Sequence, residues 1–129
     1  MIFTILGKPV PKQRPRFSKG HAYTPKKTVD YERYVQDCFR SSMGLKMDGM
    51  IEITIDVYMK IPKSAKKERE DMLIGRIRPT KRPDLDNAGK SICDSLNGLA
   101  YDDDSQIVDM HLRKWYADED YVIVNIKDV

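Results

Sequence analysis

The apolar and polar positions of this chain alternate with a period of two in some stretches and follow a helical period in others. Ile2–Leu6 (IFTIL) is short, apolar and β-branched and is stopped by Gly7, which reads as a strand. Ile2, Thr4 and Leu6 share one side of it and Phe3 and Ile5 the other, so both faces are expected to be covered. Met50–Ile61 is the clearest strand. Ile51, Ile53, Ile55, Val57 and Met59 alternate with Glu52, Thr54, Asp56, Tyr58 and Lys60, the pattern of one buried and one polar face. Gln106–Trp115 and Tyr121–Val129 read as two further strands. With the turn residues of Tyr116–Asp120 between them, they predict an antiparallel hairpin at the end of the sheet.

Three stretches follow the helical period. Thr24–Met43 carries Val29, Tyr31, Tyr34, Val35, Cys38 and Phe39 close to one face. Thr24 or Thr28 is a candidate cap, Pro25 suits the first turn, and Gly44 is a stop. Ser64–Ile74 is highly charged and predicts a solvent-facing minor helix with a weak apolar side. From Asp84, favoured as an N-cap, a helix runs to Asn97–Gly98. Its Leu85, Ala88, Ile92 and Leu96 form an apolar stripe, and Asp86, Lys90 and Asp94 recur on the opposite side at i, i+4, i+8. The elements predict one α+β domain over residues 1–129: a mixed, mainly antiparallel sheet of about four strands, with two main helices.

Composition adds a location and a partner. Two cysteines, Cys38 and Cys93, are too few and too far apart for a disulfide framework or a zinc site, which points to a reduced, cytoplasmic compartment. Gly7, Lys8 and Pro9 follow the first strand directly, so no signal peptide is expected, and no apolar run is long enough for a membrane span. Net charge is only +3, but its distribution is uneven: residues 1–46 hold ten Lys or Arg and three acids. Lys8–Lys27 has four prolines and seven basic residues, with Phe17 and Tyr23 among them. Proline blocks helix here, so this stretch predicts either a solvated surface loop or an extended arm along a phosphate backbone, with Lys8, Lys12, Arg14, Arg16 and Lys19 as cations and the rings available for stacking. Arg76, Arg78, Lys81 and Arg82 form a second basic cluster.

That cluster leads into the chemistry. Residues 82–108 (RPDLDNAGKSICDSLNGLAYDDDSQIV) hold six aspartates and Lys90. Hard carboxylate oxygens of this kind suit Mg²⁺, with Mn²⁺ as an alternative ion. Gly98–Tyr101 is expected to turn the chain so that Asp103 and Asp104 fold back beside the D-x-D of Asp84 and Asp86. Carboxylates brought that close repel one another unless a cation neutralises them. An EF-hand does not fit, because D-D-D-S-Q lacks its glycine and its acidic twelfth ligand, position 113 being Arg. Asp56 and His111, on polar strand faces, read as solvated surface groups, and Tyr31 and Tyr34 as core. Trp115 reads as a core or dimer edge.

R-P-D-L-D-N, then Lys90, Asp94 and D-D-S-Q-I-V, resembles the RusA family of Holliday junction resolvases, strongly over residues 81–110 and more loosely elsewhere, through K-P-V-P-K-Q-R-P-R and the overall length. The resemblance implies that Asp84, Asp86 and Asp104 are the metal-binding aspartates and Lys90 the catalytic lysine. Asp103, Asp94 and Asn87 match motif positions at the metal or behind it. Pro83 departs from the pattern, since some members carry a basic residue there; Lys81 and Arg82 adjoin it. The family also implies an intertwined homodimer acting on branched DNA with paired nicks. Two alternatives share these residues: a DNA-binding protein whose acidic cluster holds a structural ion, and a less specific metal-dependent nuclease or phosphatase.

Overall fold

A computed structural model describes residues 1–12 and 14–129. The strands are β1 (Ile2–Leu6), β2 (Arg16–Ser18), β3 (His21–Tyr23), β4 (Ile51–Lys60), β5 (Ile107–Ala117) and β6 (Tyr121–Asp128). The helices are α1 (Lys26–Ser41), α2 (Arg69–Leu73) and α3 (Leu85–Leu96), and a 3₁₀ turn spans Asp104–Gln106. Four strands form one mixed sheet in the order β1-β6-β4-β5, and β2 pairs with β3 in a separate hairpin. The expected α+β class and the two main helices are present.

β4 is the middle of this sheet. Its residues Ile51, Ile53, Ile55, Val57 and Met59 are almost wholly buried and alternate with half-exposed ones, as the period of two predicts. Phe3 and Ile5 of β1 and Val122, Val124 and Ile126 of β6 extend the same apolar face. Helix α1 covers part of it with Tyr31, Val35 and Phe39, which recur at three- and four-residue intervals. Phe39 meets Phe3 edge to face, with ring centroids 5.7 Å apart. Helix α3 adds Ala88, Ile92 and Leu96, the predicted stripe.

The structure corrects several expectations. β1 is covered on one face only: Ile2 and Leu6 are 63% and 67% exposed. β5 and β6 do not pair with each other. β4 lies between them, parallel to β5 and antiparallel to β6. Asp118–Asp120 therefore crosses the end of β4 instead of turning a hairpin. The crossing is fixed by Ile61 N–H donating to Ala117 O at 3.0 Å and Lys60 N–H donating to Asp120 Oδ1 at 2.9 Å. Sequence adjacency favoured a hairpin, but the fully apolar face of β4 gains more from two strand neighbours than from an edge position. The charged stretch Ser64–Ile74 contracts to α2, because Met72 is the one residue of that helix that is buried. Helix α1 begins at Lys26 with Pro25 at the cap, and neither Thr24 nor Thr28 caps it. The basic arm is not extended throughout, since Arg16–Tyr23 folds into the β2–β3 hairpin through Lys19 and Gly20, both at positive φ.

The polar face of the sheet is held by its own network. Arg113 donates to both oxygens of Asp56, at 2.7 and 3.0 Å, and Trp115 Nε1 donates to Asp56 Oδ1 at 2.8 Å. His111 Nε2 lies 3.0 Å from Glu52 Oε1. Asp56 and His111 are thus structural pairs. Truncation of the central strand should be costly: Ile55→Ala is expected to lose about 2–5 kcal/mol of unfolding free energy in urea titrations, and Leu45→Ala, at an exposed position, less than about 0.5 kcal/mol.

Candidate active site

Helix α3 is delivered to the edge of the sheet by the β4–β5 connection, since parallel neighbours need a long crossover. It packs closely there. A Cβ built on Gly89 would come within 2.9 Å of Leu112 of β5. Lys114, further along β5, donates to Lys81 O at 2.7 Å, just before the helix begins. So α3 runs back along β5, from Lys114 toward the start of the strand. Asp84 occupies the N-cap, as predicted, but its carboxylate makes no capping hydrogen bond. Asp86, Lys90 and Asp94 face away from the core.

Between α3 and β5 lies a groove of about 490 Å³. Asp86, Lys90, Asp94 and Asp104 all line it, with Cys93 and the β5 residues Ile107–Leu112. Of the expected cluster, Asp86 of the helix and Asp104 of the D-D-S-Q turn are brought to one groove, and Asp103 is not among its lining residues. Asp84 is not among the lining residues. Among the described residues, no three His, Cys, Asp or Glu side chains converge closely enough to hold a metal ion. Asp94 in particular stands about 12 Å along the helix from Asp86. The donor set still suits Mg²⁺ chemically: hard oxygens are present, and that ion keeps several waters and takes only one or two carboxylates. Cys93 contributes an inert thiol, pushed up to about 12 by burial.

The turn that presents Asp104 is built around a residue that sequence reasoning missed. Gln106 Oε1 accepts from Asp102 N–H at 2.8 Å and Asp103 N–H at 3.2 Å. Its Nε2 donates to Met47 O at 3.2 Å and Gly49 O at 2.9 Å. Asp103 closes the reciprocal half, accepting from Ser105 N–H, so the pair forms a capping box. Hydrogen bonds from Ser105 hold the Asp103 carboxyl below its ordinary value. Asp103 is therefore engaged in capping its own turn, and Asp102 pairs with Lys46. The D-x-x-Q spacing was the available signal. Asp109, also on the groove, was missed because it read as an ordinary polar-face residue of a strand.

The candidate DNA-contacting cations fall into separate places. Lys8 and Lys81 line one groove with Lys60 and Lys63, two lysines not singled out from sequence. Arg14 lines another with Asn87 and Lys90. Arg16 and Lys19 stand on the exposed β2–β3 hairpin beside Phe17, which is 79% exposed. Arg82 is exposed immediately before Pro83. Others are engaged within the chain. Arg78 stacks over Trp115 at 3.9 Å and donates to Lys114 O, and Arg76 faces Asp71. Lys12 is bonded to Glu32 and Asp94.

The family model described as Endodeoxyribonuclease RusA matches residues 7–127. The chain belongs to the RusA endodeoxyribonuclease family. It is also similar to "Uncharacterized protein YqaN" of Bacillus subtilis (strain 168), with 38% identity across 98% of this chain and 95% of that protein. RusA-family membership makes this a chain of a nuclease family whose members resolve Holliday junctions and bind branched DNA. Among the described residues, no helix is long and apolar enough to cross a membrane. In this RusA-family fold the Gln106 amide joins two segments far apart in sequence. Gln106→Leu is expected to lower the unfolding free energy by about 1–3 kcal/mol, read from the urea midpoint, because four backbone groups lose a partner.

Proposed function

We propose that this protein is a Mg²⁺-dependent endodeoxyribonuclease that resolves Holliday junctions by paired, symmetric nicks near the crossover. The observation that carries the reading is the convergence of Asp86, Asp104 and Lys90 on one groove in a chain matched to RusA over residues 7–127. Asp86 and Asp104, which share the groove, would hold the ion, with Asp84, outside the groove lining, as the further ligand that the family resemblance implies. When bound, Mg²⁺ (or Mn²⁺) would polarise a phosphoryl oxygen and lower the pKa of an attacking water. The ammonium of Lys90, on the same groove, stabilises charge developing on the phosphoryl group or the departing 3′ oxygen. The lysine groove of Lys8, Lys60, Lys63 and Lys81 and the basic hairpin give backbone phosphates a place to bind, which supports a large polyanion over a small phosphate ester. A homodimer would set one such groove on each of two opposed strands, matching the two-fold symmetry of a four-way junction.

The decisive experiment compares a synthetic four-way junction with a linear duplex of the same sequence, with Mg²⁺ or with EDTA, on a denaturing gel. Paired nicks on the junction alone, and only with Mg²⁺, are expected. Binding without nicking would instead establish a DNA-binding protein with a structural ion, and equal cutting of both substrates would remove the junction specificity. Asp84→Asn and Asp104→Asn are each expected to abolish nicking while junction binding persists or tightens, because removing a carboxylate reduces repulsion of phosphate. Lys90→Gln is expected to slow nicking by about 10²–10³-fold in single-turnover assays.

A further inference from the structure

Lys12 lies in the basic arm, but the structure does not leave its charge free. Its Nζ bonds Glu32 Oε1 of α1 at 2.9 Å and Asp94 Oδ2 of α3 at 3.3 Å. All three side chains are about three-quarters buried, with 27%, 25% and 23% of their surface exposed. The arm backbone is tied to the same helix, since Lys12 N–H reaches Asn87 O at 3.5 Å. The hydrogen bond to Glu32, ahead of the one to Asp94, raises the Lys12 pKa above its ordinary 10.5, so the ammonium keeps its charge. Two residues further on, Arg14 is exposed and has no ion pair or side-chain hydrogen bond among the described residues. It lines a groove of about 430 Å³ with Lys12, Asn87, Lys90 and Asp94. This second groove and the acidic one share Lys90 and Asp94, so that ridge of α3 divides them.

We propose that Lys12 is a positioning residue: its double bridge to Glu32 and Asp94 clamps the arm across α3, and the clamp sets Arg14 beside Lys90 to hold the backbone phosphate next to the one that is cut. The inference rests on the nuclease reading and deepens it by naming a phosphate subsite and the device that orders it. A cation already shared by two carboxylates has little left to offer a third anion, whereas Arg14 presents an uncommitted planar fork suited to phosphate. Asp94 is thereby assigned to the clamp, and its negative charge on the dividing ridge is compensated.

The test uses the full chain and reads three quantities: backbone hydrogen exchange of residues 8–15 in the free protein, junction affinity against salt in EDTA, and KM and kcat for nicking in Mg²⁺. Lys12→Met and Glu32→Gln are each expected to speed exchange in the arm, leave thermal unfolding of the domain in place, and weaken junction binding about tenfold. KM should rise by a similar factor while kcat changes little. Arg14→Gln should weaken binding equally and reduce the salt slope by about one. The double variant Lys12→Met with Arg14→Gln should bind no more weakly than Arg14→Gln alone, and Lys12→Arg should restore the wild-type values. The proposal is overturned if Glu32→Gln binds as well as or better than wild type while the losses from Lys12 and Arg14 multiply, because Lys12 would then be a direct phosphate ligand. Unchanged exchange in the arm of both clamp variants would overturn it as well. Failure of the nuclease reading looks different: wild-type protein binds the junction but cuts nothing, and the binding and exchange measurements still decide the role of Lys12.

Discussion

The constraint on which the molecule depends is the two-sided pairing of β4. One strand of ten residues, apolar on one face throughout, takes β6 antiparallel on one side and β5 parallel on the other. The parallel pairing forces the chain to make a crossover between β4 and β5, and that crossover contains α2, the second basic cluster and α3. The position of the chemistry follows. α3 has to lie over β5, with its apolar stripe turned to the sheet, and its Asp–Lys–Asp face is then left along the open edge. The return from β5 to β6 must clear the end of β4, which explains why Asp120 is used twice as an acceptor, for Lys60 and for Gly7.

What could be read from the sequence divides along physical lines. The α3 motif was legible because a 3.6-residue period separates Leu85, Ala88, Ile92 and Leu96 from Asp86, Lys90 and Asp94 without help from the rest of the chain. The strand β4 was legible for the same reason with a period of two. Pairing was not: the alternation of β5 and β6 fixes which face is buried, not which strand lies alongside, and β4 occupies the place that a hairpin would have filled. Likewise β1 is covered only on the Phe3 side, where Phe39 of α1 packs, and no local pattern in IFTIL reveals that its other face is left open.

The candidate site shows the same division. Asp104 and Lys90 were identified by residue type and spacing, and both reach the groove. Gln106 was not given a role, although D-x-x-Q is a cap signature, because its other two hydrogen bonds go to Met47 and Gly49, more than fifty residues away. Lys12 was read as a free cation because its partners are 20 positions distant in Glu32 and 82 positions distant in Asp94. Arg78 was read in the same way, yet it lies on Trp115, whose indole also ties down Asp56. A basic residue in a loop is ambiguous in sequence because charge is visible and commitment of that charge is not.

The layout of committed and uncommitted charge is the more informative property. A groove lined by carboxylates repels a phosphodiester, so a nuclease of this kind has to gain its substrate affinity outside the acidic site and direct the strand into it. Here Arg14 is an uncommitted cation beside the acidic groove, the lysine groove and the basic hairpin hold further cations elsewhere on the surface, and Lys12 pairs with Asp94, which stands on the boundary between Arg14 and the other acids. Lys90 lines both sides of that boundary. A strand held by Arg14 would therefore meet Lys90 before it meets Asp86 or Asp104, and the positive charge nearest the acids would be the one also placed to stabilise the transition state.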